Sequence, residues 1–446
     1  MPRLTLVYPC IGRFPGDRYV RSWQMQPLAM AVLAGMTPPE WTIAFFDDRL
    51  EAVDFDTPSD LVGISIETFT ARRGYQIAEE FKRRGVPVVF GGYHATFCPD
   101  EALAHGDAVC VGEAEGVWPR ILADAAAGKL SSRYERTGQH DLSGIRPDRR
   151  VFDGKNYFAI GLVETGRGCP FSCDFCSVSA FNHGTHRRRP ISDIVDELRR
   201  LPRKIVFFVD DNMVGDTENA KELFRALKPL GLQWVSQASI NVAQDEKLLR
   251  LMVESGCIGL LIGFESLNEA NLAAMGKNVN HTAQYAERIR RLRQAGIAIY
   301  GTFVFGYPHD TPELYAATVE FARREKLFLA AFANILAFPG TPLYREVVAR
   351  GRLRYDCWWL DDRYRFGQVP FHPEGMPATE IEEWCNKARR QYLSTASILR
   401  RGMDWQANCR GIKKAATFFS LNFLLRREIA QKRGTPLGVR EEPDRQ

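Results

Sequence analysis

The chain has 446 residues, of which 45% are hydrophobic and 25% are charged, so it has room to bury the cores of two or three domains. This composition excludes a disordered tail or linker protein, and a formal net charge of +5 does not by itself indicate nucleic-acid binding. Because no run of eighteen apolar residues and no signal-type hydrophobic segment is present, we expect a cytoplasmic protein.

The N-terminal part of the chain alternates short apolar runs with helical stretches. The runs predict strands at 4–8, 41–46, 61–66, 86–90 and 108–111. Strands that alternate with helices predict a doubly wound parallel sheet, in which ligands bind at the carboxyl ends of the strands. The loops at three of these ends, 65–68, 91–96 and 112–116, are polar and rich in glycine. Paired glycines let backbone approach a ligand closely, although each loop by itself also fits a tight turn.

Three closely spaced cysteines follow a further predicted strand at 160–164. Cys169, Cys173 and Cys176 are separated by three and then two residues. Cysteines on one short loop can bind three irons of a four-iron cubane and leave the fourth iron open to bind a small molecule. The alternative is a zinc site, which usually has four ligands, and His183 or His186 lies close enough to supply one. The other seven cysteines are scattered without a disulfide-like spacing, which fits a reducing compartment.

This cysteine motif, with Phe175 before its last cysteine, resembles the radical S-adenosylmethionine (SAM) superfamily, whose open iron chelates SAM. The order of the N-terminal strands and loops resembles the cobalamin-binding domain that precedes the radical SAM domain in the cobalamin-dependent subgroup. That subgroup includes methyltransferases and the bacteriochlorophyll ring cyclases. One feature departs from other cobalamin proteins: the Asp-x-His-x-x-Gly signature, whose histidine ligates cobalt, is absent.

The resemblance implies ligand contacts on the N-terminal loops. The residues implied to contact cobalamin are Ser65, Thr68, Gly91, Gly92, His94, Gly112 and Glu113. His94 is a candidate replacement ligand for cobalt. In a Gly-Gly-x-His loop, however, a hydrogen bond to backbone or to a ligand phosphate is the favoured role for a histidine.

Further apolar runs at 206–212, 234–239, 259–266 and 299–306, and a sixth strand before 337–344, resemble the radical SAM partial barrel. Catalytic and ligand-holding residues of barrels concentrate at the carboxyl ends of strands. The residues that the resemblance implies to contact SAM are Phe175, Asp210, Gln237 and Glu265. The alternative for Glu265 is an acid in the first turn of the next helix. For the basic run 187–189 we favour a solvated turn over contact with a phosphate or carboxylate.

The C-terminal region is aromatic and then helical. Trp358, Trp359, Tyr364, Phe366 and Phe371 precede helical patterns at 379–397 and 408–432, which predict a small helical cap. In relatives this region closes over the barrel and shapes the substrate pocket. The last helix carries an apolar run at 418–425 next to basic residues, and we favour docking on the barrel over contact with an anionic membrane.

Together these features predict an α/β protein. A Rossmann-like, cobalamin-binding-type domain is expected at 1–138, a linker at 139–154, a radical SAM partial (β/α) barrel at 155–345 and a mainly helical C-terminal region at 346–446.

The resemblance implies an enzyme that reductively cleaves SAM at a 4Fe-4S cluster and, with cobalamin, methylates an unactivated carbon. The alternatives are a radical SAM cyclase or oxidoreductase with cobalamin in a non-methylating role and, most remotely, a zinc-stabilised binding protein. The aromatic C-terminal region favours a hydrophobic small molecule or lipid as substrate, with no nucleic-acid partner. Flavodoxin or ferredoxin is the expected external electron donor, and peripheral membrane contact is a further expectation.

Overall fold

The computed structural model describes residues 1–14, 16, 19, 24–136 and 138–439. Its N-terminal part contains seven strands: β1 (Arg3–Tyr8), β2 (Gly12–Arg13), β3 (Thr42–Asp47), β4 (Leu61–Ser65), β5 (Val88–Gly91), β6 (Ala108–Val111) and β7 (Arg133–Glu135). Six of them form one sheet in the order β3-β1-β4-β5-β6-β7, and every pairing is parallel. The predicted parallel sheet is therefore confirmed. The short edge strand β7 was not predicted, because three residues give no usable hydrophobic pattern.

Five helices cover this sheet: α1 (Leu28–Met36), α2 (Ala71–Arg83), α3 (Tyr93–Phe97), α4 (Pro99–His105) and α5 (Trp118–Ala126). Successive strand residues point to opposite faces of a sheet. In β5, Val88 and Phe90 pack in one buried cluster with Tyr75 of α2, whereas Val89 packs in another with Trp118 of α5. Apolar side chains on both faces therefore explain why the strands read as continuous apolar runs.

The second half of the chain contains strands β8 (Gly161–Val163), β9 (Gly166–Gly168), β10 (His186–Arg188), β11 (Ile205–Phe208), β12 (Gln233–Gln237), β13 (Cys257–Glu265), β14 (Ala298–Phe305) and β15 (Leu329–Asn334). Six of them form a parallel sheet in the order β15-β14-β13-β12-β11-β8. The edge strands β8 and β15 do not pair with each other, so this is an open, partial barrel. The two remaining strands, β9 and β10, form a separate antiparallel hairpin.

The helices of the barrel are α6 (Ser177–Phe181), α7 (Ile191–Arg200), α8 (Thr217–Leu227), α9 (Glu246–Glu254), α10 (Glu269–Ala274), α11 (Thr282–Gln294), α12 (Pro312–Arg324) and α13 (Pro342–Ala349). Most follow a barrel strand and return the chain to the start of the next one, as parallel pairing requires. Buried Leu223, Phe224 and Leu227 of α8 illustrate how one apolar face packs on the sheet.

The C-terminal region contains α14 (Ala378–Tyr392), α15 (Thr395–Gly402), α16 (Ile412–Lys432) and β16 (Gly438–Val439), and residues 440–446 lie outside the described part. Helix α16 docks on the barrel, since Phe418 is fully buried and Asn422 Nδ2 donates to Phe328 O at 3.1 Å. Strand β16 pairs with β2 of the N-terminal part. The domain boundaries expected from the sequence stay predictions.

The aromatic segment before α14 lies elsewhere than expected. Trp358, Trp359 and Tyr364 are buried in the same cluster as Tyr75 and Phe90 of the N-terminal sheet. Trp358 and Trp359 attach the C-terminal region to that sheet and line neither of the two pockets beside the barrel that are described below, whereas Tyr364 also lines one of them. Within the described residues, no helix is both long enough and apolar enough to span a membrane.

Candidate functional site

The cysteine loop connects β9 to α6 and is tied to the barrel on both sides. Gly168, just before Cys169, has a φ of +84°, and a Cβ there would lie 2.1 Å from Thr185 O, so only glycine fits. Asp211 holds Gly168 by accepting from its backbone N–H at 3.0 Å. Within the loop, the Tyr307 hydroxyl donates to Asp174 at 2.6 Å. The loop is therefore held in place by barrel residues far away in the sequence.

The three loop cysteines are free thiols, with Cys173 buried and Cys169 and Cys176 partly exposed. Within the described part of the chain, no three His, Cys, Asp or Glu side chains converge on one position for a single metal ion. A cubane needs no such convergence, because each thiolate binds a different iron. Burial raises the pKa of Cys173 to about 11, so this thiol would have to give up its proton to hold iron as a thiolate. The donor set fits an iron–sulfur cluster.

Glu265 ends β13 in an unusual conformation. Its φ is +63°, in the left-handed region that residues with a side chain rarely adopt, and such strain is common at functional sites. Its carboxylate is 8% exposed and pairs with Lys277 Nζ at 3.1 Å. The alternative role as a first-turn acid is wrong, because α10 begins later, at Glu269, with Asn268 as its N-cap. Lys277 was not predicted, because it belongs to no recognisable motif in the sequence.

The other residues implied to contact SAM lie around the same strand ends. Asp210 is 1% exposed and accepts from Thr165 Oγ1 at 2.7 Å, and burial raises its pKa to about 6. Gln237 ends β12 and is half-buried, while Phe175 packs partly buried against the barrel core. Their contacts with SAM stay predictions, and the described partner of Asp210 is the barrel itself.

A cleft of about 510 Å³ separates the carboxyl ends of the N-terminal strands from the beginning of the barrel. Five of the predicted cobalamin residues line it: Ser65, Gly91, Gly92, Gly112 and Glu113. Gly92 has a φ of +96°, and a Cβ there would lie 2.6 Å from Ile66 O, so this loop requires glycine. The barrel contributes Glu164, Arg167, Phe181 and Asp211 to the opposite wall. The cleft is large, has glycine-rich loops at its edge and lies between two domains. These properties fit the binding of a large cofactor.

The two remaining predicted cobalamin residues do not line this cleft. The His94 ring is fully buried, with Nδ1 3.3 Å from Thr68 Oγ1 and Nε2 3.0 Å from Glu101 Oε1. Trp359 Nε1 donates to the same Glu101 oxygen at 3.0 Å. Cobalamin contacts of Thr68 and His94 stay predictions, but the described partners of both side chains belong to the protein. No histidine lines the cleft in the described part of the chain.

Arg167 connects the two walls of the cleft. It donates to Glu113 at 2.9 Å, to Glu115, and to Glu164 at 2.9 Å, so three carboxylates surround one guanidinium. Arg187 also binds Glu113, at 2.6 Å. Burial opposes ionisation of Glu113, but hydrogen bonds from Arg187 and Arg167 outweigh it and lower its pKa to about 2.

The other two arginines of the basic run are also enclosed by protein. Arg188 lies 3.7 Å from Asp210, and Arg189, whose side chain is 2% exposed, pairs with Glu197 at 2.8 Å. The favoured expectation of a solvated turn is therefore wrong. The sequence could not show that the carboxylate partners come from elements far along the chain.

Burial also shifts the pKa of Glu164, which directly follows β8, the first strand of the barrel. It raises the pKa of this carboxyl to about 7, and Arg167 only partly opposes the rise. A carboxyl with this pKa, in the wall of the cleft, exists in both protonation states at neutral pH.

Comparison with known proteins gives consistent matches in both halves of the chain. Residues 163–322 match the radical SAM superfamily, and residues 25–122 match the B12 binding domain. The chain is 30% identical over 388 residues to the bacteriochlorophyllide d C-12(1)-methyltransferase of Chlorobaculum tepidum, covering 84% of each protein. It is 25% identical to the hopanoid C-2 methylase of Rhodopseudomonas palustris, covering 91% of this chain and 85% of that one.

A solved structure shares the fold. It is the radical SAM methyltransferase TsrM from Kitasatospora setae with cobalamin and a 4Fe-4S cluster bound. The TM-score is 0.64 at 18% identity, and the match covers 88% of this chain and 85% of that one. At this identity the likeness shows the fold alone.

Proposed function

Because this chain belongs to the radical SAM superfamily and carries a B12 binding domain, we propose that it methylates a carbon atom of a small hydrophobic molecule. It is a radical SAM enzyme whose cofactors are a 4Fe-4S cluster, SAM and cobalamin. One observation carries the proposal: residues on both sides of the cysteine loop, Arg167 before it and Phe181 after it, line the cobalamin-type cleft. Phe181, in the helix that follows Cys176, lines the cleft and stacks on Tyr93 with ring centroids 4.4 Å apart.

Each part of the site has a distinct role in this proposal. When bound, the cofactors supply one-electron cleavage of SAM and methyl transfer, which side-chain acid–base chemistry cannot perform. Cys169, Cys173 and Cys176 would hold the cluster. Glu265 and its partner Lys277 would orient SAM at the strand ends. Glu164 holds or releases a proton at its carboxyl oxygens near neutral pH, at the wall between the two cofactor sites.

The substrate class follows from the relatives and from the space around the barrel. Both curated relatives described above are named for apolar ring systems, a bacteriochlorophyllide and a hopanoid. The aromatic residues that first favoured such a substrate are mostly structural, since Trp358, Trp359 and Phe371 are buried in cores. Phe366 is the exception, because it lines an apolar cavity beside the barrel. We propose a hydrophobic small molecule on these grounds.

The proposal predicts label transfer from SAM to a carbon atom. Reconstituted protein, supplied with cobalamin, methyl-deuterated SAM, dithionite and a bacteriochlorophyllide or hopanoid extract, should form a product that carries the deuterated methyl group. Mass spectrometry checks the result. Reduced flavodoxin or ferredoxin should replace dithionite. SAM cleavage accompanied by ring closure and no label in the product would favour the cyclase alternative, and absence of SAM cleavage would overturn the radical mechanism.

A surface at the end of the C-terminal region suggests how a cytoplasmic enzyme would meet a lipid-like substrate. Met403, Trp405 and Ile412 are 63%, 76% and 90% exposed between α15 and α16. The exposed ionisable residues between 395 and 427 are all basic: Arg400, Arg410, Lys413, Arg426 and Arg427. Exposed apolar side chains among basic ones suit an anionic membrane surface. We propose peripheral membrane contact through this surface.

Vesicle flotation checks this contact. The protein should float with vesicles that contain phosphatidylglycerol and remain unbound with phosphatidylcholine alone. Replacing Trp405 and Ile412 by serine should weaken binding on the order of tenfold or more, since two apolar side chains no longer enter the lipid. Val253→Ser, at an exposed apolar residue on α9, should leave binding unchanged. Equal flotation of the double variant and the unmodified protein would exclude this surface.

A further inference from the structure

A second cavity lies beside the open edge of the barrel, between β15, α16 and the N-terminal domain. Its volume is about 300 Å³, which is in the range of small-molecule sites. Its wall is apolar at Phe69, Tyr300, Ala331, Ala333, Phe366 and Leu425, and the basic residues Arg389, Lys432 and Arg433 also line it. Phe69 of the N-terminal domain lies 5.2 Å from Phe366, ring centroid to centroid, so residues from all three parts of the chain line the cavity.

Two buried acceptors in this wall lack a hydrogen-bond donor. Asn334 and Glu428 line the cavity and are each 7% exposed. The Asn334 amide nitrogen donates to Gly367 O at 2.6 Å, which leaves its Oδ1 without a donor among the described residues. One oxygen of Glu428 accepts from Lys432, and the other, Oε2, likewise has no donor. Buried acceptors in native proteins are normally satisfied, so these two indicate a missing partner.

The cavity lies at the functional end of the barrel. Asn334 is the last residue of β15 and pairs with Phe305 at the end of β14. Glu265, at the end of β13, pairs with Phe303 of the same strand β14. Because the strands are parallel, Asn334 and Glu265 stand at the same edge of the sheet, where barrel enzymes bind their substrates.

We propose that this cavity binds the substrate of the methyl transfer, and that the substrate carries hydroxyl or amino groups on an apolar body. The inference rests on the proposed function and adds the chemistry of recognition. The apolar body fills the space between Phe69, Phe366 and Leu425. Its donor groups form hydrogen bonds with Asn334 Oδ1 and Glu428 Oε2. An apolar molecule without donors would leave both acceptors unpaired, so the site selects against such a molecule.

Three probes of similar size distinguish apolar contact with the cavity wall from hydrogen bonding to the two acceptors. Naphthylmethanol and naphthylmethylamine carry a donor, and ethylnaphthalene has nearly the same shape without one. Equilibrium dialysis against the reconstituted full-length protein measures their dissociation constants. We expect the alcohol and the amine to bind about tenfold more tightly than ethylnaphthalene, the effect of one hydrogen bond with a buried acceptor.

Variants locate the binding. Asn334→Leu and Glu428→Gln should each reduce the preference for donor-bearing probes several-fold. Ala333→Phe fills the cavity and should weaken the binding of all three probes about tenfold or more. Ala331→Leu is a second filling variant, for use if the first does not fold. Gln431→Ala, at an exposed residue of α16 outside the cavity lining, is the matched control and should leave all affinities unchanged.

The outcomes separate this inference from the proposed function. Equal affinities for the three probes, no binding to the unmodified protein, or binding that both filling variants retain would overturn the cavity assignment, even if methyl transfer is observed. Normal probe selectivity in a protein that cleaves SAM but transfers no methyl group would overturn the proposed reaction and leave the cavity as a binding site. Cleavage of SAM without substrate should persist in Ala333→Phe, because the cysteine loop is untouched.

Discussion

Replacing Cys169, Cys173 and Cys176 together by alanine should abolish the visible absorbance of the cluster and all reductive cleavage of SAM. The unmodified protein, reconstituted without oxygen, should bind about four irons and four sulfides per chain, as a three-cysteine cubane requires. The three thiols are the ligands that one short loop offers, so no described side chain can replace them as a set. Iron and sulfide analysis, absorbance and 5′-deoxyadenosine formation measure the loss.

A matched variant separates this effect from a general loss of thiols. Cys98, Cys357 and Cys409 lie in other parts of the fold and can be replaced together by alanine. That variant should keep its cluster and its activity. A full cluster in the loop variant, or stoichiometric zinc in anaerobic preparations of the unmodified protein, would contradict the assignment.

Arg167→Met should destabilise the interface between the two domains by about 3–5 kcal/mol, the range for breaking a buried ion pair. The substitution keeps most of the side-chain volume but leaves Glu113, Glu115 and Glu164 close together without their shared cation. Arg187 still neutralises Glu113, so most of the stability loss comes from the unpaired Glu164 and Glu115. Thermal unfolding of the reconstituted protein measures the change.

The stability loss caused by Arg167→Met should increase with pH. The folded-state pKa of Glu164 is raised to about 7 from its ordinary value of 4.5, so the folded protein binds the extra proton between these values. The contribution of Glu164 to the stability of the folded protein is therefore fully present below about pH 4.5 and is lost as the pH rises through about 7. Without Arg167 the carboxylate form becomes less favourable still. The unfolding temperature of Arg167→Met should fall more than that of the unmodified protein between slightly acidic and slightly alkaline buffer.

Two controls accompany this variant. Arg150 forms a surface ion pair with Asp148 and is 86% exposed, so solvent screens the pair and Arg150→Met should leave the unfolding temperature nearly unchanged. Iron content must also be compared, because Arg167 lies close to Cys169 in the chain. A stability difference that is independent of pH, with normal iron content, would argue against the role of Glu164.

The sequence predicted the elements whose signal is local. Buried parallel strands are apolar on both faces, so the runs at 61–66 and 108–111 coincide closely with β4 and β6. Glycines of the loop 91–96 were singled out because paired glycines let backbone approach a ligand closely, and at Gly92 a Cβ would lie only 2.6 Å from Ile66 O. Strand β7 and the hairpin of β9 and β10 were missed, since strands of only three residues are too short to show a hydrophobic periodicity.

Site residues were harder to predict where their partners lie far along the chain. Lys277 became visible only through its pairing with Glu265. The run 206–212 already placed Asp211 at a strand tip, but only the structure shows its bond to Gly168. His94 carried a loop motif typical of ligand binding, yet its ring is enclosed by Thr68, Glu101 and Trp359. A motif fixes which side chain is present, whereas packing fixes where that side chain points.

The sequence by itself determined the cysteine loop and the two parallel sheets, because both depend on spacing and burial along a continuous segment. Only the tertiary structure decided that Trp358 and Trp359 pack on the N-terminal sheet and that Arg167 joins the two walls of the cleft. It also brought Asn334 and Glu428 to one cavity. These contacts join residues separated by many elements, and their energies come from burial and charge pairing that no local pattern records.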